Sequence, residues 1–123
     1  MDKYELLSEK IKFVSELVSK YNISSKQNIA NKIGKNSFLD SDNLKFLIKN
    51  PDTDNFDCNY IFTAFIRASF WESKSGSNLN NKVYYSHIKS KARNLFKNHK
   101  CQKIIDSSIL NKANKLFNIV DFL

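Results

Sequence analysis

The stretch Cys58–Ser73 reads CNYIFTAFIRASFWES, and its reading decides the fold. The apolar residues fall nearly all round a helical projection, which is the pattern of a helix enclosed by others. Asp57, just before it, is placed to act as its N-cap. Such a helix needs partners on several sides, and the flanking sequence offers them. Tyr4, Leu7, Ile11, Val14 and Val18 recur at helical spacing and predict an amphipathic helix over 2–20, with Asp2 and Glu5 forming a capping box. Beyond the central stretch, Val83, Tyr84, Ile88, Ala92, Leu95 and Phe96 mark a second amphipathic helix. A last helix is expected over 107–122, capped by Asp106 or Ser107, with Ile109, Ala113, Leu116, Phe117 and Val120 turned inward.

Shorter helices are expected over 25–33, ended by Gly34, and from 40 or 41 to 49, stopped by Asn50-Pro51. The segments PDTDNFD (51–57) and KSGSNLNN (74–81) read as loops, the second a flexible one. With only two glycines and one proline, the chain has few of the residues that tight hairpin turns demand, which argues against a sheet. The expectation is all-α: one compact helical bundle of about four to six helices, a single domain over residues 1–123.

Of the 20 basic residues only Arg67 and Arg93 are arginine, and against 12 acids they leave a net charge of +8. A basic excess favours a polyanionic partner, because phosphate contacts release counterions. Lysine and asparagine also accumulate under AT-rich codon usage, so the charge alone does not separate a ligand from a genome. No apolar run approaches the ~18 residues of a membrane span. Two distant cysteines, Cys58 and Cys101, without a secretory signal predict reduced thiols and a cytoplasmic protein.

The chemistry-bearing stretch is KARNLFKNHKC, 91–101. A permanently charged arginine can hold a phosphate and stabilise charge developing on it. A histidine titrating near neutrality can move a proton to or from a ribose hydroxyl. Together they suffice for RNA cleavage by the internal 2′-hydroxyl, with no metal or other cofactor. Arg93, Asn94 and His99 resemble the signature of the HEPN superfamily of helical domains, many of them ribonucleases: an arginine, commonly a polar residue, then a histidine after four to six intervening residues. The motif also lies late and is followed by one more amphipathic helix, as in that family. The resemblance covers about the last forty residues. It implies a metal-independent ribonuclease or RNA-binding domain with Arg93 as phosphate clamp, Asn94 as orienting group and His99 as general acid/base. It also implies a homodimer facing two motifs across a cleft, and a biology of toxins or antiviral, phage-host conflict. The sequence departs from the family where Cys101 stands in place of an aromatic. Six residues along an unbroken helix turn by about 600°, leaving Arg93 and His99 roughly 120° apart. Convergence therefore requires a helix break near Asn98 or a second subunit.

Further nucleic-acid contacts are expected from Arg67, Lys89, Lys91, Lys97 and Lys100, with Tyr85 able to stack on a base. Arg67, in the apolar helix together with Glu72, has a structural alternative: stacking on Trp71 or pairing with an acid. A helix-turn-helix reading of SKQNIANKIGKN (25–36) needs four extra turn residues and an acidic recognition helix, which opposes DNA. Cys58, His87, His99 and Cys101 lack paired metal-ligand spacing, so no metal site is expected. The alternative to an enzyme is a non-enzymatic basic helical protein, such as a small phage or bacterial regulator, that binds a nucleic-acid-handling complex. The enzyme needs Arg93 and His99 in one cleft; the binder does not.

Overall fold

The computed structural model describes residues 3–20, 58–98 and 106–120. They form four helices: α1 (Lys3–Lys20), α2 (Cys58–Lys74), α3 (Leu79–Asn98) and α4 (Ser107–Val120). No strand occurs among the described residues, and the all-α expectation stands. The helices expected over 25–33 and 40–49, and the cap at Asp57, lie outside the described residues.

α2 is the enclosed helix that its composition predicts. Every side chain from Ile61 to Phe70 is buried. α1 packs against it, α3 runs back along it, and α4 closes the bundle against α1. The meeting point is aromatic. The Phe117 ring of α4 lies 4.7 Å from Phe65 and 6.2 Å from Phe62, both on α2, and 5.0 Å from Phe96 on α3. All three contacts are edge-on, the arrangement that ring quadrupoles favour. Leu7, Ile11 and Val14 of α1 and Ile109, Ala113 and Leu116 of α4 complete the core.

Three of the polar side chains buried in this apolar setting are hydrogen-bonded within the bundle. Thr63 and Ser69 donate their hydroxyls to the carbonyls of Asn59 and Phe65, one turn back, at 2.7 and 2.9 Å. Lys10, only 6% exposed, donates its Nζ to Thr63 Oγ1 at 3.0 Å and so ties α1 to α2 through a polar contact.

Two local expectations are corrected. KSGSNLNN is mostly not loop, since Lys74 ends α2 and α3 begins at Leu79. Ser75–Ser77 form a tight turn in which Ser75 N–H donates to Glu72 O and Asn78 N–H to Ser75 O. Gly76 takes φ = 58°, a conformation glycine adopts without a Cβ penalty. Asn78 then caps α3, its Oδ1 accepting from Asn81 N–H at 3.1 Å. Val83, expected inside, is 67% exposed, because the inward stripe of α3 is Ile88, Ala92 and Phe96.

A third correction concerns the thiols. Cys58 is disulfide-bonded and not a free thiol. Cys101, the other cysteine of the sequence, lies outside the described residues. The hairpin folds α3 back along α2. Trp71 meets Tyr85, Phe65 meets Arg93 and Phe62 meets Phe96, a register that carries the end of α3 towards the start of α2.

At the entry to α4, Asp106 accepts from both the backbone N–H and the hydroxyl of Ser108, at 2.9 and 2.7 Å. The Ser108 hydroxyl, then the backbone N–H groups of Ser108 and Ile109, hold the Asp106 carboxyl below its ordinary 3.8. The carboxylate therefore contributes stability above that ordinary value and loses it as pH falls through the lower folded value. Thermal melts of wild type and Asp106→Asn should differ at pH 6, wild type being more stable, and the difference should shrink as pH falls below the ordinary carboxylate value. Phe117→Ala removes the ring shared by three helices and should cost about 3–5 kcal/mol in urea denaturation.

Candidate nucleic-acid interface

The charge is strongly segregated along the chain. Residues 1–57 hold nine basic and nine acidic side chains, whereas residues 58–123 hold 11 basic and three acidic, the whole of the +8 excess. α3 alone carries Lys82, Lys89, Lys91, Arg93 and Lys97 with no acid. The basic helix is also the one that bears the arginine–asparagine motif.

Burial sorts these cations into two groups. Lys89 is 4% exposed and its Nζ lies 3.5 Å from Glu72 Oε2, an ion pair joining the two arms of the hairpin. Arg67, also 4% exposed, lies over the Phe70 ring at 5.5 Å, so its stacking partner is Phe70 and not the expected Trp71. Both cations are drawn into the bundle and present little of themselves to a phosphate. Lys82 and Lys97 are exposed, and Lys91 is half-buried.

Arg93 is half-buried, with its guanidinium 5.6 Å from the centre of the Phe65 ring. That cation–π contact fixes the stem and leaves the side chain at the margin of the core. Asn94 beside it and Lys97 one turn on are exposed. Lys97 lies four residues from Arg93 and three from Asn94, so it neighbours both, while Arg93 and Asn94 themselves are about 100° apart on α3. α3 continues without a break through Asn98. His99 and Lys100 lie outside the described residues. A break allowing Arg93 and His99 to converge within one chain therefore falls after Asn98.

His87 is exposed on α3, and Cys58, in its disulfide, offers no thiolate to a metal. The helix-turn-helix segment 25–36 is outside the described residues. No helix among those described is long and apolar enough to cross a membrane.

A feature missed by residue-by-residue reading is the aromatic group at the hairpin tip. Trp71 of α2 and Tyr85 of α3 stack with ring centres 6.3 Å apart and planes inclined by 21°. Phe70 lies 5.1 Å from Trp71, and Tyr84 meets Tyr85 at 5.1 Å. Partial burial, then the neighbouring Tyr85, pushes the Tyr84 hydroxyl above its ordinary value, so it stays neutral at physiological pH. The available signal was the joint spacing of FW at 70–71 and YY at 84–85 about a turn, which becomes legible once the hairpin register is known.

No protein-family model, curated protein or solved structure matches the chain. The class defined by fold and charge is an all-α bundle with a basic helical hairpin.

The Lys89–Glu72 pair is expected to be structural. Glu72→Ala leaves a buried ammonium without this carboxylate and should cost about 1–3 kcal/mol in urea denaturation, more than Lys89→Met, which removes the buried charge.

Proposed function

We propose that the chain is an RNA-binding helical protein of HEPN-like kind, in which Arg93, Asn94 and His99 cleave RNA without a metal. The single observation that carries the reading is the acid-free α3, which puts Arg93, Asn94 and Lys97 on its last turns immediately before His99. In this reading Arg93 holds the scissile phosphate and Lys97, with Lys91 and Lys100, tracks the neighbouring backbone. His99 takes the proton from the 2′-hydroxyl, whose oxygen attacks the adjacent phosphorus as the 5′-oxygen leaves. Asn94 orients the phosphate. Because α3 runs on through Asn98, the arrangement that best unites the groups is a homodimer with the His99 of a second copy facing Arg93. A role in conflict between a phage and its host follows from the family resemblance.

The continuity of α3 also favours a second reading, a non-enzymatic protein that binds a nucleic-acid-handling complex through the same basic flank. One experiment separates them. Purified protein is incubated with defined tRNAs in EDTA beside His99→Ala and Arg93→Ala. The nuclease reading expects His99→Ala to lower the cleavage rate by about 10²–10⁴-fold and Arg93→Ala to weaken both binding and cleavage. Equal background cleavage by wild type and His99→Ala contradicts it; retained, salt-sensitive RNA binding then identifies the binder.

A further inference from the structure

We propose that the tip of the α2–α3 hairpin is a stacking platform for the bases of single-stranded RNA, with the Trp71 indole as its working surface. The choice of RNA as the polyanion rests on the function proposed above; the platform itself rests on separate residues at the other end of α3. Trp71 is 44% exposed, an unusual state for the side chain with the largest apolar area in the sequence. It is nevertheless held in place. Tyr85 backs it with a nearly parallel ring, and Phe70 and Tyr84 brace the pair from either side. A ring fixed in this way presents its π surface without first losing rotamer freedom, which is what a base-stacking site requires.

The surroundings favour a nucleic acid over a protein. Exposed Lys74 and Lys82 flank the tip, and Glu72, the acid on α2, is committed to Lys89. The neighbouring apolar side chains, Leu79 at 72% and Val83 at 67% exposure, extend the surface along the first turns of α3. With Trp71 they are the exposed large apolar side chains among the described residues. Base–aromatic stacking accepts any base, while lysines beside the ring neutralise the phosphates that link successive bases. Trp71 lies against Tyr85, so a strand engaged there and followed along α3 reaches Arg93 and Lys97 after about 12 and 18 Å of helix.

Trp71 is the only tryptophan, so its emission reports on the site directly. His99→Ala protein, which keeps the RNA intact, is titrated with fluorescein-free oligouridylate and with a duplex of equal length. The proposal expects the single strand to quench Trp71 and the duplex to do so far less. In anisotropy with labelled oligouridylate, Trp71→Ala should weaken binding about 5- to 150-fold, Trp71→Leu should behave like Trp71→Ala, and Trp71→Phe should stay within a few-fold of the parent. Far-UV circular dichroism confirms that each variant is folded.

Saturable binding without quenching, or Leu serving as well as Phe, overturns the platform. So does a Trp71→Ala variant that changes the oligomeric state in light scattering and leaves RNA affinity intact, since that marks a protein interface. Cleavage by wild type without quenching removes the platform and spares the nuclease. Quenching with no cleavage does the reverse.

Discussion

Phe117 is the contact on which the bundle depends. Its ring touches two phenylalanines of α2 and one of α3, so a single side chain of the last helix joins both arms of the hairpin. Edge-on packing at these distances leaves no room for slippage: turning α4 by one residue would replace the ring with Leu116 or Asn118 and abandon all three contacts. α1 is then aligned against α2 by apolar burial and by the Lys10–Thr63 hydrogen bond. The placement of α3, and with it of the basic flank, follows from this core, because Phe96 enters it from the same helix that carries Arg93 one turn earlier.

The hairpin distributes its cations by depth. Lys89 and Arg67 are spent on joining and lining the arms, Arg93 lays its guanidinium against Phe65 at the margin of the core, and Lys82 and Lys97 are exposed towards the two ends of α3. The proposed association with a polyanion would draw on the excess positive charge of residues 58–123, since the N-terminal 57 residues carry no net charge. The proposed stacking at Trp71 and the proposed chemistry after Arg93 lie at opposite ends of the hairpin. A strand would be gripped at one end and engaged at the phosphate near the other.

The fold was legible in the sequence where periodicity alone decides it. The all-round apolar pattern of α2 and the stripes of α1 and α4 predict the elements and most of the core. What was not legible depended on register between segments. Val83 fits the apolar stripe of an isolated helix, yet α3 turns Ile88, Ala92 and Phe96 inward and leaves it outside. Lys89 reads as a surface lysine because its carboxylate, Glu72, lies 17 positions away and meets it only through the hairpin. Arg67 found Phe70, three residues on, and not Trp71, four residues on; both are one turn away and the sequence does not choose. Composition shows the serines and glycine of the turn at Ser75–Ser77 but not the hydrogen bonds that shape it or how short it is. Of the motif itself, Arg93 and Asn94 lie on α3 and His99 lies outside the described residues.

The most direct measurement is ultraviolet crosslinking of bound single-stranded RNA followed by mapping of the attached peptides. The account predicts adducts on the hairpin, at Trp71 or Tyr85 near its tip and around Arg93–Lys97 at its other end. Adducts confined to α1, or spread evenly over the lysines of all four helices, would contradict it.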